Sequence, residues 1–148
     1  MPNINATVLE AMSAYCCSES VTDEQKEFVN KLCSSFGKVM PLSESYFPLF
    51  CSIAGCAPAY AYMFIDSLAR SAVKNGMNKS VALEIAAQTV LGSAKKILES
   101  DEHPWELIDK VCSPGGTTIE GIVSLQKDGF ESAVCNAVDA ALQKDKKV

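Results

Sequence analysis

Hydrophobic and polar residues are arranged in two different ways along the chain, and the change falls near residue 45. Before it, two short β-compatible stretches, 13–17 and 38–42, flank a helical stretch over 22–36. Thr22 can cap that helix, and Gln25, three residues on, can complete a capping box. This strand–helix–strand order predicts a small α/β unit. Two short strands cannot bury a sheet alone, so another part of a protein must cover them.

From residue 46 onward the apolar positions recur at helical spacing. The helices predicted from this pattern cover residues 46–53, 58–76, 79–100, 104–111, 117–127 and 130–144. The helix over 79–100, with Asn78 as its cap, is apolar over a wide arc. We therefore expect it to be buried between several neighbours, part of them from a second subunit. The predicted fold class is mainly α, a helical bundle preceded by a small α/β unit, with domains at 1–45 and 46–148.

Charge and hydropathy narrow the possible partners. The net charge of −5 argues against a nucleic-acid surface, which needs clustered Lys and Arg. The only basic run, Lys144, Lys146 and Lys147, is typical of a solvated helix end. The longest apolar stretch, 57–65, is too short to span a membrane, and the polar first residues do not form a signal peptide. We expect a cytoplasmic protein with no nucleic-acid or membrane partner.

Cysteine and histidine usage predicts neither disulfides nor a metal. Seven cysteines is an odd number, and none of their pairs has the two-residue spacing of a zinc or redox motif. We expect reduced thiols that fill small apolar gaps. The sole histidine, His103, has no cysteine within eight residues, so we expect it to cap or pack rather than to ligate a metal or catalyse.

The most informative stretch is residues 112–120, a glycine-rich turn that leads into a helix. Free N–H groups and the positive end of the helix dipole suit a small carboxylate there. Gly115 and Gly116 would let a ligand approach the main chain closely. The alternative is a plain helix start, because Thr117 and Glu120 have the spacing of a capping box, which needs no ligand. The residues alone leave both interpretations open.

The run Ser113-Pro114-Gly115-Gly116-Thr117-Thr118-Ile119 resembles the most characteristic motif of pyrroline-5-carboxylate reductases. The stretches 54–60 and 87–94 and the start Met1-Pro2-Asn3 are also similar to that family, in the family's order and spacing. The resemblance implies the carboxyl-terminal half of such an enzyme. Residues 1–45 would then be the remnant of a Rossmann domain, and residues 46–148 the helical dimerisation and substrate-binding domain.

The resemblance also implies a reaction: NADPH or NADH passes hydride to 1-pyrroline-5-carboxylate, giving L-proline, without a metal. It places the site at an interface between two subunits of a homodimer, with larger assemblies left open. The matching substrate-binding residues are Ser113, Gly115, Gly116, Thr117 and Thr118. Thr118 matches the threonine whose hydroxyl lies near the ring nitrogen, and it is the candidate catalytic residue. Asn3 matches a cofactor contact.

This chain departs from the family pattern in several places, among them Ile4-Asn5 and the positions of Leu9 and Ala11. The family often has serines and a glycine where Ala54, Cys56 and Ala57 stand here. The nucleotide-binding start is missing, so we expect the 148 residues alone neither to bind NADPH tightly nor to turn over. Two other functions stay open: a non-catalytic helical oligomerisation module, and a dehydrogenase of another imine or 2-hydroxy acid with a similar helical domain.

Overall fold

The structure, a computed structural model, describes residues 1–145. Of the basic tail it describes Lys144, whereas Lys146 and Lys147 lie outside the described residues. Two strands and seven α-helices are described, and their bounds are β1 Ala11–Tyr15, α1 Asp23–Ser34, β2 Gly37–Pro41, α2 Phe47–Phe50, α3 Ala57–Lys74, α4 Lys79–Leu98, α5 Pro104–Val111, α6 Thr117–Lys127 and α7 Phe130–Asp145. A mainly α chain with a small α/β start is therefore confirmed.

The strands β1 and β2 are parallel and are connected through α1. Their register runs from Ala11 opposite Gly37 to Tyr15 opposite Pro41, so both strands begin earlier than the hydropathy pattern predicted. Gly37 explains the earlier start: it has a φ of +153°, and a Cβ there would lie 2.2 Å from the carbonyl oxygen of Ala11. Only glycine lets the two backbones approach this closely.

Local capping signals set the ends of several helices, as predicted. Thr22 Oγ1 accepts from the N–H of Gln25, and the N–H of Thr22 donates to Gln25 Oε1, which completes the capping box of α1. Asn78 Oδ1 accepts from the N–H of Ser80 at the start of α4. The ring of His103 accepts from the N–H of Trp105 and caps α5. His103 is thus a helix cap.

The helix predicted over 46–53 is wrong in form, because the chain there changes its winding twice. A 3₁₀ turn, Glu44–Tyr46, leads into α2, and a π turn, Cys51–Gly55, follows it. The defining bond of the π turn runs from the N–H of Cys56 to the carbonyl oxygen of Cys51, at 3.0 Å. Pro58 gives the reason: it has no N–H to donate, so regular α-helical winding cannot continue through it.

The chain divides into two compact units, residues 1–60 with 136–148 and residues 61–135. Each has a small core. In the described part of the first unit, the buried apolar residues are Ala11 and Ala14. In the second unit, Ala69, Ala82 and Ala86 are buried, with Ile65 and Ala72 packed partly against them. Among residues 1–145, all five buried apolar side chains are alanines, so most large apolar side chains there lie at the surface of the single chain.

The helix α4 shows this most clearly. We expected several neighbours to bury it, part of them from a second subunit, and its large side chains stay uncovered within the single chain: Leu83 is 42% exposed, Leu91 57% and Leu98 68%. The prediction that the thiols fill small apolar gaps is also not met within the single chain. All seven thiols are free, but Cys16, Cys17 and Cys135 are exposed and the other four are half-buried, so they do not fill gaps in a core.

The helical run Glu44–Lys74 is long and apolar enough to cross a membrane, with a mean hydropathy of 1.4 over an 18-residue window. We expected no such segment, because the sequence analysis considered only uninterrupted apolar residues. Length and composition are weak evidence for a membrane span, since helices that pack in a protein core also meet them. Only 11% of the window is buried, so this apolar surface needs a cover that the single chain does not provide.

Candidate functional site

The turn before α6 is built by a proline and two glycines. The N–H of Gly116 donates to the carbonyl oxygen of Ser113 at 2.9 Å and closes a four-residue turn. Pro114 and Gly115 occupy its middle positions, and Gly115 has a φ of +67°. This is the arrangement of a type II turn, which favours proline and then glycine at these positions.

A side chain on Gly116 would press against Ser113. A Cβ there would lie 2.3 Å from Ser113 Oγ and 3.1 Å from the carbonyl oxygen of Ser113. A Cβ on Gly115 would meet open space, so that glycine is needed for its backbone angle alone. The two glycines therefore serve different purposes: Gly115 reverses the chain, and Gly116 lets it pack against Ser113.

The helix α6 begins at Thr117, as predicted, and the capping box of Thr117 and Glu120, the alternative that the residues left open, does not form. The capping residue is Gly116, which has no side chain, and no side-chain hydrogen bond caps this helix. The N–H groups of Thr117, Thr118 and Ile119 precede the first bond of α-helical type. Thr117 and Thr118 are exposed and Ile119 is half-buried, so two hydroxyls lie at the surface beside these donors.

Five of the six predicted site residues therefore lie in one turn of the 61–135 unit: Ser113, Gly115, Gly116, Thr117 and Thr118. The sixth, Asn3, belongs to the other unit. Its side chain already makes two bonds. Asn3 Nδ2 donates to the carbonyl oxygen of Ala54 at 2.9 Å, and Asn3 Oδ1 accepts from the N–H of Met12 at 3.2 Å.

The hydrogen bond from Asn3 Nδ2 to the carbonyl oxygen of Ala54 replaces one that Pro58 cannot donate. In an α-helix, residue 58 would donate its N–H to the carbonyl of residue 54, but proline has no N–H. Asn3 supplies the missing donor from another part of the chain. The sequence analysis missed this role. The available signal was the position of Pro58, four residues after Ala54. A proline there leaves the Ala54 carbonyl without its usual helical N–H donor, so another donor is expected.

Residues around the π turn complete this region. Ser52 is buried, and its hydroxyl donates to the carbonyl oxygen of Pro48 at 3.0 Å. The hydroxyl of Tyr60 donates to the carbonyl oxygen of Ala137 at 3.3 Å. Burial raises the pKa of the Cys51 thiol, and the neighbouring Cys56 and Asp145 raise it further.

A cavity of about 710 Å³ lies at the carboxyl ends of β1 and β2, and its lining includes none of the predicted site residues. Its lining includes Tyr15, Cys17, Lys26 and Glu44. The ammonium of Lys26 donates to Asp23 at 3.0 Å, and this bond raises the pKa of Lys26. The sequence analysis did not consider these residues. Ligands of parallel α/β sheets bind beyond the carboxyl ends of the strands, which was the signal available.

Within residues 1–145, no group of three or more His, Cys, Asp or Glu side chains is arranged to hold a metal ion. The full sequence also contains no Gly-x-Gly-x-x-Gly fingerprint for a dinucleotide. The start of α6 offers backbone N–H donors without a side-chain cap, with two hydroxyls beside them.

Comparison with known proteins decides the family. A family profile described as "Pyrroline-5-carboxylate reductase dimerisation" matches residues 44–148. The chain belongs to the pyrroline-5-carboxylate reductase family. Along all 148 residues it is 38% identical to the reductase of Glycine max and 40% identical to that of Escherichia coli K12. It covers 54% and 55% of those two proteins, so it spans about half the length of the curated relatives it matches.

Solved structures of pyrroline-5-carboxylate reductases share the fold. The Streptococcus pyogenes enzyme is 43% identical, with a TM-score of 0.94, over all of this chain and 57% of that one. The Plasmodium falciparum pyrroline carboxylate reductase, solved with NADP bound, is 37% identical with a TM-score of 0.93. That match covers 99% of this chain and 59% of that one. The family resemblance identified from the sequence is thus confirmed.

Proposed function

We propose that this chain is the dimer-forming and substrate-binding half of an NAD(P)H-dependent pyrroline-5-carboxylate reductase. The reaction reduces the carbon–nitrogen double bond of 1-pyrroline-5-carboxylate and gives L-proline, as the last step of proline biosynthesis. The observation that carries the proposal is the start of α6, where a turn without a side-chain cap presents three N–H groups. Family membership supports it independently.

In this proposal the substrate carboxylate binds at the N–H groups of Thr117, Thr118 and Ile119. The partial positive charge of the helix start adds to these hydrogen bonds. Glu120 opposes the carboxylate in part, because it is an acidic residue in the same first turn. The exposed hydroxyl of Thr118 bonds to the ring nitrogen, and it orients the imine carbon for hydride attack. Ser113, Gly115 and Gly116 hold the turn in this form.

The reduced nicotinamide supplies the hydride, and the binding site for it is not complete within these 148 residues. A dinucleotide needs a glycine-rich strand-to-helix turn, which this sequence lacks. A contact from Asn3 would use the one N–H and the one lone pair that its present bonds leave. We therefore infer that NADPH or NADH is held mainly by residues outside this chain. Steady proline formation by the purified chain with NADPH would contradict this.

The exposed apolar faces support assembly as a homodimer. Leu83, Leu91 and Leu98 lie exposed on α4, and the matching family profile is that of a dimerisation domain. Large exposed apolar patches on a single chain indicate a protein or membrane contact. We propose that a second copy covers this surface, and a monodisperse monomer in solution would contradict it.

The alternative function is a helical oligomerisation module without a ligand, for which the same exposed apolar surface is the supporting observation. Calorimetric titration of the purified chain with L-proline distinguishes the two functions. Thr118→Val removes the hydroxyl and keeps the side-chain shape, so we expect about tenfold weaker binding, the loss of one hydrogen bond. Ser124→Ala, which removes an exposed hydroxyl from the same helix, is the matched control.

Binding that Thr118→Val weakens and Ser124→Ala leaves unchanged would support a carboxylate site on α6. Equal affinity in all three proteins would remove Thr118 from the site. No binding by an intact dimer would favour the oligomerisation module for this chain, with any substrate pocket requiring residues beyond it.

A further inference from the structure

Cys51 and Cys56 lie at the two ends of the π turn, and the backbone joins them directly. The N–H of Cys56 donates to the carbonyl oxygen of Cys51 at 3.0 Å, a bond that spans five residues. Backbone bonded in this way holds its two Cα atoms roughly 6 Å apart, within the range of about 4.4–6.8 Å that disulfides use.

Ordinary helical winding would not allow this pairing. In an α-helix, residues five apart are separated by about 7.5 Å of axial rise alone, which exceeds the limit of about 7 Å between Cα atoms of a disulfide. The π turn, which Pro58 and Asn3 impose, is therefore what brings the two cysteines within bonding range.

The side chains also lie near each other. Cα–Cβ bonds in helices tilt toward the amino end, so the side chain of Cys56 leans back along the turn. The sulfur of Cys51 lies beside Gly55, where an added Cβ would be 3.4 Å from it. Gly55 thus leaves the space between the two cysteines open. Both thiols are half-buried, and the Cys56 side chain contributes to the raised pKa of Cys51, which also places them together.

We propose that Cys51 and Cys56 are a thiol-oxidation site that closes to an intramolecular disulfide across the π turn. The oxidant is a peroxide. The Cys56 thiolate attacks one peroxide oxygen, the O–O bond breaks, and a sulfenic acid forms with release of hydroxide. The Cys51 sulfur then attacks the Cys56 sulfur, the S–O bond breaks, and water leaves. Two thiols lose two electrons and two protons in total, and one hydrogen peroxide becomes two waters.

Cys51 is written as the second sulfur to react because burial raises its pKa and so disfavours its thiolate. This inference does not depend on the reaction proposed above. It concerns a position where, by the family resemblance, serine is common and this chain has cysteine. A serine could not form the bond.

Digestion with trypsin separates this cysteine pair from the other cysteines. The peptide Val39–Arg70 contains Cys51 and Cys56 and no other cysteine, while Met1–Lys26 contains the adjacent exposed pair Cys16 and Cys17. The purified 148-residue chain is treated with hydrogen peroxide, blocked with iodoacetamide, digested and weighed by mass spectrometry. We expect Val39–Arg70 to appear unblocked and about 2 Da lighter than its dithiol form, and to become fully blockable after treatment with dithiothreitol.

Two variants serve as controls. Cys56→Ser keeps the backbone N–H of the π turn and should abolish the lighter peptide, whereas Cys16→Ser should leave it unchanged. The proposal is overturned if Val39–Arg70 stays in the doubly blocked form or gains only oxygen. It is also overturned if the peptide is recovered linked to a second chain, because the bond is then between copies and not across the turn.

Discussion

Two turns in this molecule precede helices and contain glycine, but they differ in whether their backbone polar groups have hydrogen-bond partners. The turn at Ser113–Gly116 leaves the first N–H groups of α6 without a side-chain cap. The π turn at Cys51–Gly55 has a carbonyl without its helical donor, and Asn3 satisfies it from a distant part of the chain. Free donors at a surface are available to a ligand, whereas a satisfied carbonyl holds segments together. The first turn is the candidate site, and the second is a structural joint.

The largest effect should come from filling the turn before α6. Gly116→Leu forces a Cβ against Ser113 and displaces the N–H groups of the first turn, so we expect L-proline binding to fall below detection. Gly121→Leu is the control, because that position on the same helix has open space. Calorimetry measures the affinity, and circular dichroism checks the helix content. Unchanged affinity in folded Gly116→Leu would place the ligand elsewhere.

A smaller effect is expected at the structural joint. Asn3→Ala removes the partners of the Ala54 carbonyl and the Met12 N–H, and each unsatisfied group costs about 1–3 kcal/mol. Unfolding in urea at a fixed protein concentration measures the loss of stability. Pro58→Ala restores an N–H that can reach the Ala54 carbonyl, so Asn3→Ala should cost less in that background. Additive costs of the two changes would contradict a shared role.

The smallest effect concerns α5, which leads into the turn at Ser113. Lys110 on α5 bonds to Glu102, and this bond is the main reason that the pKa of Glu102 is lowered. A carboxyl with a lowered folded-state pKa stabilises the fold above its usual value of 4.5, and the gain is lost as pH falls through the lowered value. Lys110→Gln should therefore lower the urea midpoint slightly at pH 7, and the difference should vanish in acid. Lys110 is exposed and Glu102 is only half-buried, so a large effect at pH 7 would contradict this surface pair as its source.

Local signals made much of the fold predictable. Thr22 with Gln25, Asn78, and the glycines after α3 and α6 are signals within a few residues of the helix ends they determine, and α6 was predicted to the residue. The turn at Ser113–Gly116 was also predictable as a candidate site, because proline and glycine have strong conformational preferences. The cap of α6 stayed open, since Thr117 and Glu120 fit a capping box by spacing, and only the backbone angles show that Gly116 is the capping residue.

Interactions between distant residues could not be predicted in this way. The π turn depends on Asn3, fifty-one positions from Ala54, and the start of β1 depends on contact with Gly37. The surface of α4 was predicted to be covered because its composition is that of a buried helix, but composition does not say whether the same chain or another supplies the cover. The roles of Thr118 and Asn3 toward substrate and cofactor stay predictions.

The parallel pairing of β1 with β2 has a consequence for the order in which the chain acquires its structure. Ala11 meets Gly37 only after the whole of α1 has been folded back between them, whereas the helices from α3 onward form from neighbouring residues. Contacts between distant residues form slowly because closing a long loop costs entropy. The strand pair should therefore be among the last elements to form, and an amide-exchange pulse during refolding should label β2 after the helices are already protected.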